Sequence, residues 1–271
     1  MTLGVVAFPS DLRGQAATLN DYDLTEDGAT RWRLPGRLRE ISGLTSAPGD
    51  RIFAHDDERA VIYEIDYRTG RLVKAFAMGD KGARGDFEGI AFADDRFYLV
   101  TSSGWIYESR EGEDDEGMLY NIYGTGVGKK CEVEGLAFEP AGRVLLMVCK
   151  TPRDKEIEDF VAIYRFSLDS REITGAPLLV PLGEITSRID GKSFRPSGIE
   201  RHPLSGNYFI VAAQQSAVAE ITPDGRVVAV VKLKRGNHRQ IEGITFTSDG
   251  TLLLADEGGR GRAWLTLYHP R

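Results

Sequence analysis

Short apolar segments separated by turn-forming residues run through most of the chain. The segments are rich in β-branched and aromatic residues, as at 97–101, 144–148 and 208–212, and this favours β-strands. The turns between them contain Gly, Asp, Ser and Pro, where glycine supplies a positive φ and Asp or Ser caps the backbone. The pattern predicts an all-β fold built from many short strands.

A five-residue phrase recurs at the start of five of these strands and divides the chain into repeats. Its central residue is a glycine, found in chain order at Gly43, Gly89, Gly135, Gly198 and Gly243. Successive glycines are 46, 46, 63 and 45 residues apart. A period in the mid-forties is typical of a four-stranded propeller blade. We therefore predict five blades, which start near residues 40, 86, 132, 195 and 240.

The two ends of the chain predict how the propeller closes. Only three strands follow the last phrase, whereas an extra strand at about 29–35 precedes the first one. Open strand edges invite aggregation, and closure of the ring removes them. We predict that the N-terminal strand becomes the fourth strand of the last blade, with Trp32 largely buried. The whole chain, 1–271, would then form a single five-bladed β-propeller domain; a six-bladed propeller is the alternative.

Two repeats contain longer inserts. Blade 3 has a charged loop at 150–159 and a segment at 182–194 that is a candidate for a short helix. Blade 2 contains the acidic run 111–116, which we interpret as a solvated loop.

The residue before each phrase glycine is the main candidate for function. It is acidic in three repeats and a serine in two, in the order Ser42, Glu88, Glu134, Ser197 and Glu242. Successive strands of a blade are antiparallel, so the start of the first strand and the end of the second lie at the same face. We expect all five side chains to converge at one mouth of the central channel. The strand ends and blade connections add further candidates there: Asp57, Asp86, Lys150, Asp256 and Glu257.

The charge of this mouth suggests a cation site. Two carboxylates about 5 Å apart repel by roughly 3 kcal/mol at an effective dielectric constant near 20. Three glutamates therefore need a cation, basic partners or raised pKa values. Oxygen ligands without a nearby His or Cys pair suit Ca²⁺ better than zinc or copper, so the candidate calcium ligands are Glu88, Glu134 and Glu242.

Purely structural glutamates are the alternative: such side chains can cap backbone N–H groups or pair with Lys150, Lys192 or Arg195. A serine nucleophile is poorly supported, because the chain contains no Gly-x-Ser-x-Gly motif.

Composition narrows the class of partner. The net charge of −7 and the pI of about 5.3 argue against nucleic-acid binding. No stretch approaches the 18 apolar residues of a membrane span. The segment 1–8 lacks a basic region and is too short for a signal-peptide core. We expect a cytoplasmic monomer with a small-molecule or protein ligand at the channel mouth, or a periplasmic or envelope protein if a signal or anchor has been removed.

The two cysteines leave two interpretations open. A hairpin turn at 139–142 would place Cys131 opposite Cys149, as a thiol pair or a disulfide. We favour two small buried hydrophobic residues.

The order of the phrases resembles the SdiA-regulated (YjiK-like) family of bacterial proteins. The matching segments are EISGL at 40–44, DFEGIA at 86–91, RPSGI at 195–199 and IEGITFTSDG at 241–250, followed by ADE at 255–257. Single phrases also occur in NHL-type and other propellers, but serine in the first and fourth phrases is more specific. The resemblance extends from about residue 30 to the C-terminus. It implies a five-bladed propeller, a calcium site and often an envelope or periplasmic location, without an established activity.

These observations support two classes of function and one inert alternative. The leading hypothesis is a calcium-binding propeller that acts as a ligand- or protein-binding, or sensory, module. The alternative is a metal-dependent hydrolase of the phytase-like or lactonase type, in which Ca²⁺ polarises a phosphate or ester oxygen. The Asn residues at 20, 121, 207 and 237 lie away from the predicted strand ends, and few basic residues lie at the mouth. Both facts favour binding over hydrolysis. The third option is a scaffold with an inactive channel.

Overall fold

The predicted repeats each form a four-stranded antiparallel blade. A computed structural model describes residues 18–271; the segment 1–8 discussed above lies outside the described residues. The first strand is β1 (Ala29–Arg33). Blade 1 consists of β2 (Ile41–Ala47), β3 (Arg51–Asp56), β4 (Val61–Asp66) and β5 (Arg71–Met78). Blade 2 consists of β6 (Phe87–Ala93), β7 (Arg96–Thr101) and β8 (Trp105–Arg110), then, after the two-residue strand β9 (Gly117–Met118), of β10 (Tyr120–Gly124).

The remaining three blades repeat this arrangement. Blade 3 consists of β11 (Cys131–Glu139), β12 (Val144–Pro152), β13 (Phe160–Ser167) and β14 (Leu178–Pro181). It is followed by the short helix α1 (Leu182–Thr186), in the segment where a helix was predicted. Blade 4 consists of β15 (Gly198–Arg201), β16 (Tyr208–Ala212), β17 (Ala217–Ile221) and β18 (Val227–Lys232). Blade 5 consists of β19 (Ile241–Phe246), β20 (Leu252–Asp256), β21 (Trp264–Tyr268) and β1. Single turns of 3₁₀ helix lie at Leu19–Asp21, Gly36–Leu38, Val127–Lys129, Pro140–Gly142 and Lys155–Ile157.

The ring closes as predicted, because β1 pairs antiparallel with β21 as the outer strand of blade 5. Trp32 lies opposite Leu265 in this pairing. Its side chain is largely buried, as predicted: it packs against the hydrophobic cluster between blades 5 and 1, and its indole Nε1 is buried. The chain is therefore a five-bladed β-propeller rather than a six-bladed one.

Local turn chemistry agrees with this topology. Asp94 and Asp95 form the two-residue connection between β6 and β7, and both have positive φ values, 50° and 58°. A two-residue hairpin turn of this kind matches the right-handed twist of the strands, and Asp tolerates the left-handed region better than most residues.

The hydrophobic core lies between the blades rather than in one central mass. Five clusters of buried side chains each join two neighbouring blades, and together they run around the ring. Strands such as β16 and β20 are buried at every position, because both faces pack against a neighbouring blade. Continuous apolar runs, rather than strict alternation, are the expected pattern for strands covered on both faces.

One insert departs from the expectations. The acidic loop at 111–116 does not simply face solvent: Glu111 forms ion pairs with Arg51 and Lys74 of blade 1. The backbone N–H of Ala75 donates to Asp114 at 2.9 Å. The loop therefore attaches blade 2 to blade 1, in continuity with β9, which pairs with β5.

The preferred interpretation of the cysteines was wrong. Cys131 and Cys149 form a disulfide, with Cα atoms 5.7 Å apart, and both residues are buried. The backbone register places Cys131 opposite Pro152 and Val133 opposite Cys149. Irregularities in the pairing of β11 with β12 shift the strands. The disulfide therefore joins diagonal positions of the two strands rather than directly opposite ones.

Among residues 18–271, no helix is both long enough and apolar enough to cross a bilayer.

Candidate functional site

The phrase glycines form the narrow part of the central channel. A Cβ on Gly89 would lie 2.5 Å from the backbone N of Leu136, and one on Gly135 would lie 2.9 Å from Gly198. A Cβ on Gly198 would lie 2.8 Å from the carbonyl oxygen of Glu242. These distances are too short for any side chain, so the innermost strands approach one another closely only because the residue is glycine.

The channel beside this ring is small. It has a volume of about 10 Å³ and is lined by the phrase residues of all five blades, among them Ser42, Glu88 and Glu242. Sites for drug-sized ligands usually measure about 300–1,000 Å³. The channel itself therefore suits an ion or water, while a larger ligand would have to bind outside it.

In blades 1, 2, 3 and 5, a β-bulge sets the direction of the side chain that precedes the phrase glycine. The pairing of β6 with β7 passes from Phe87 directly to Gly89, so Glu88 has no partner in the ladder. The same shift omits Ser42 in blade 1 and Glu242 in blade 5, and in blade 3 it omits Glu134 with its glycine. A bulge adds one residue to a strand and redirects its side chain. In four of the five blades, the repeated phrase is thus the sequence signature of a bulge at the start of the inner strand.

Lys150 is the basic residue of this cluster. Its Nζ donates to Glu134 Oε1 at 2.7 Å, from the end of β12 to the start of β11. Burial opposes protonation of Lys150, but the hydrogen bond to Glu134 and the charges of Glu242 and Glu88 outweigh it, so its pKa lies above the ordinary value. Glu134 is buried, and burial raises its pKa although Lys150 lowers it.

Glu88 and Glu242 have less compensation. Burial raises the pKa of Glu88, and the charges of Glu134 and Asp86 raise it further. Burial also raises the pKa of Glu242 to about 8, and Glu134 adds to this effect while Lys150 opposes it. Ser42 Oγ lies 3.5 Å from Glu88 Oε2, a weak hydrogen bond. The three glutamates therefore sense one another's charge and share a single lysine.

A second acidic group lies between blades 5 and 1; its members Asp57 and Glu257 were predicted mouth residues, whereas Glu40 was not identified. Burial raises the pKa of Glu257, and the neighbouring carboxyls of Glu40 and Asp57 contribute to this rise. Burial is also the main reason that the pKa of Asp57 is raised, and Asp57 Oδ1 is buried without a hydrogen-bond partner among residues 18–271. Glu40 is the first residue of the first phrase and lies at a blade connection. This position in the sequence could have identified it as a residue of the mouth.

The other candidates have structural partners. Ser197 donates to the carbonyl oxygen of Ile241 at 2.6 Å and accepts from the backbone N–H of Ala213 at 3.0 Å, which ties blade 4 to blade 5. Asp86 is exposed and accepts a 2.5 Å hydrogen bond from Ser102.

Asp256 turns away from the channel. Its Oδ2 lies 2.8 Å from Nδ1 of the buried His238, and the other ring nitrogen of His238 lies 2.7 Å from the Tyr268 hydroxyl.

The arrangement contains no preformed metal cage. Within the described part of the chain, no group of three or more His, Cys, Asp or Glu side chains has the spacing to hold a metal ion. At Glu134, the ammonium group of Lys150 lies against the carboxylate, which would otherwise face Glu88 and Glu242. Two carboxylates and the Ser42 hydroxyl, all oxygen donors, are left facing the channel.

The fold resembles several solved enzyme structures. A glutaminyl cyclase from Myxococcus xanthus superposes with a TM-score of 0.61 at 15% identity, over 89% of this chain and 95% of the other. The PQQ-bound aldose sugar dehydrogenase from Streptomyces coelicolor gives 0.57 at 15% identity, over 89% and 98%. A luciferin-regenerating enzyme gives 0.56 at 10% identity, over 89% and 95%.

At these identities the likeness shows the propeller fold alone. No known family profile and no curated protein sequence matches the chain.

Proposed function

We propose that this chain is a cation-binding β-propeller that acts as a ligand-binding or sensory module, with Ca²⁺ held at the channel mouth. The observation that carries the proposal is that three glutamates from three blades share one lysine. Glu134 takes the ion pair, while Glu88 and Glu242 keep raised pKa values. A cation placed between these two would relieve their repulsion and lower both pKa values.

The donor set supports a hard cation. Glu88, Glu242 and Ser42 offer only oxygen atoms, as Ca²⁺ prefers, and water would supply the rest of its six to eight ligands. Lys150 would remain on Glu134 and keep that carboxylate out of the coordination shell. The low charge of such a site is expected to give weaker binding than a cage of three or more carboxylates.

Hydrolysis has less support than binding. A phosphoester or lactone hydrolase needs room for substrate next to its metal, and the channel volume of about 10 Å³ is far below the usual range for small-molecule sites. A ligand would therefore contact the rim of the mouth, where the second acidic group of Glu40, Asp57 and Glu257 lies.

Calorimetric titration of metal-free protein with Ca²⁺ tests the proposal. Glu88→Gln and Glu242→Gln should each weaken binding at least about tenfold, because each removes one charged ligand of two. Lys150→Met should strengthen binding, because it frees Glu134 to join the site. Glu172→Gln is the matched control, since Glu172 is exposed in the connection between β13 and β14, at the opposite face.

Two further readouts separate specific binding from adventitious charge effects. Ca²⁺ at about 100 times its Kd should stabilise the wild-type protein by about 2.7 kcal/mol in thermal melting. Binding should also release protons from the glutamates, which appears as a dependence of the measured heat on the ionisation enthalpy of the buffer. The proposal fails if wild-type protein shows neither heat nor a melting shift, or if Glu172→Gln responds like Glu242→Gln.

A further inference from the structure

A second cleft on blade 5 has the opposite electrostatic character. It is open to solvent, measures about 390 Å³, and lies between the loop that enters β19 and the loop that joins β20 to β21. Four arginines line it: Arg31, Arg239, Arg260 and Arg262. Such a concentration of positive charge is unexpected in a chain whose net charge is −7.

Three of these arginines form no ion pair within residues 18–271. Arg239, Arg260 and Arg262 are exposed, and none forms an ion pair with a carboxylate within residues 18–271. Elsewhere on the surface, Arg51 and Arg143 each pair with two carboxylates. Guanidinium groups that line a cleft without a carboxylate partner are available to a ligand.

The fourth arginine is fixed in place. Arg31 Nη2 donates to the carbonyl oxygen of Asn237 at 2.8 Å, and its Nε donates to Thr266 at 3.3 Å. Its guanidinium also stacks over the partly exposed Trp264 ring at 4.7 Å, so the cleft has one pre-positioned cation on an aromatic wall.

The acidic residues that line the cleft do not cancel this charge. Asp256 is buried against His238 and also accepts from the backbone N–H of Gln240 at 3.2 Å. Glu257 accepts a hydrogen bond from the Gln240 side chain and belongs to the acidic group near Glu40. Both carboxylates have partners, whereas Arg239, Arg260 and Arg262 form no ion pair within residues 18–271.

We propose that this cleft binds a small phosphorylated molecule. Guanidinium groups form paired hydrogen bonds to phosphate oxygens, and several around one cleft suit a group with two or more negative charges. The volume lies within the usual range for small-molecule sites, and Trp264 offers an aromatic surface for the remainder of the ligand. A nucleic-acid strand fits less well, because the positive charge is confined to one cleft of an acidic protein.

Titration with inorganic pyrophosphate, in buffer without divalent cations, tests the proposal in the full chain. Pyrophosphate should bind more tightly than sulfate at equal ionic strength. The double variant Arg260→Gln/Arg262→Gln should weaken binding at least about tenfold. The control is Arg226→Gln, since Arg226 is an exposed arginine in the turn before β18. Binding that is equal for sulfate and pyrophosphate, or equally weakened in the control, overturns the proposal.

A protection experiment on the wild-type chain avoids any effect of substitution on folding. Pyrophosphate should slow the modification of Arg239, Arg260 and Arg262 by phenylglyoxal, while Arg226 reacts at an unchanged rate. Absence of protection overturns the proposal, as does tighter binding of a single-stranded oligonucleotide than of pyrophosphate. Neither result bears on Ca²⁺ at the channel mouth, so the two proposals fail independently.

Discussion

Buried carboxylates occur in two regions of this propeller, within the blades and at the channel mouth, and their surroundings differ. Inside blade 4, Glu220 is fully buried and accepts hydrogen bonds from the backbone N–H of Leu19 at 2.7 Å and from the Asn207 amide at 2.6 Å. Inside blade 2, Glu108 accepts a 2.7 Å hydrogen bond from the Tyr123 hydroxyl. It also forms ion pairs with two arginines.

The mouth provides no such set of partners. Glu88 has one long hydrogen bond from Ser42, and the single lysine of the region is taken by Glu134. A buried charge without partners costs free energy, whereas a paired one can be neutral or favourable. The contrast teaches that burial alone does not mark a functional carboxylate; the missing partners do.

Removal of the closing strand should have the largest effect, because it also removes a partner of Glu220. A chain of residues 36–271 lacks β1, the Leu19 donor and the buried side chains of Leu19, Tyr22 and Leu34. Each of these is worth about 1.5–3 kcal/mol. A loss of about 5 kcal/mol lowers the melting temperature by about 10–20 °C, and the open edge of β21 promotes aggregation.

Scanning calorimetry checks the predicted fall in melting temperature, and a chain of residues 18–271 is the matched control. Equal melting of the two chains would mean that β1 does not close the ring.

Removal of a paired carboxylate should have the next largest effect. Glu108→Ala leaves Arg96 and Arg171 without their shared partner, and both arginine side chains are about one-third exposed, at 33% and 32%. Water therefore solvates these two arginines in part. We expect the free energy of unfolding, measured in urea, to fall by about 2–3 kcal/mol. Glu172→Ala, which removes an exposed carboxylate next to Arg171 in the sequence, should be near neutral. A neutral Glu108→Ala would remove the distinction between the two regions.

The mouth should respond to pH with the opposite sign. A carboxyl whose pKa is raised on folding binds more protons in the folded state, so stability falls as pH rises between the unfolded and folded values. For Glu242 that window extends from its ordinary value of 4.5 to about 8. In EDTA, urea unfolding should show the free energy of unfolding decreasing as pH rises across this window.

Glu242→Gln should flatten the profile and stabilise the protein at pH 8, since it removes a buried charge that forms no ion pair within residues 18–271. A profile that rises with pH, or a variant that loses stability at pH 8, would mean that Glu242 is satisfied like Glu220.

The fold could be predicted because the repeated phrase has one physical cause. The glycines allow close packing of the inner strands at the axis, and in blades 1, 2, 3 and 5 the preceding residue lies in a bulge, so the periodicity survives in the sequence. The pairing of Glu134 with Lys150 was also among the alternatives considered, because strand order brings the start of β11 beside the end of β12.

Other features depend on contacts that no local pattern encodes. Asp256 follows an inner strand like a mouth residue, yet its orientation is set by His238 and Tyr268, which lie in other segments. The arginine cleft brings together Arg31 and Arg260, residues at opposite ends of the chain that meet only after the ring closes. The disulfide depends on irregular strand pairing, which the turn position alone does not reveal.

The pairing of β1 with β21 also sets a delay during synthesis. Arg31 emerges from the ribosome early, but its partner Thr266 lies 235 residues later. At about 5–20 residues per second, that interval is on the order of 10 to 50 seconds. During this time the first strand has no edge to join, although blades 1 to 4 can already assemble side by side. Synthesis of β21 is thus the step that allows an open stack of sheets to become a ring.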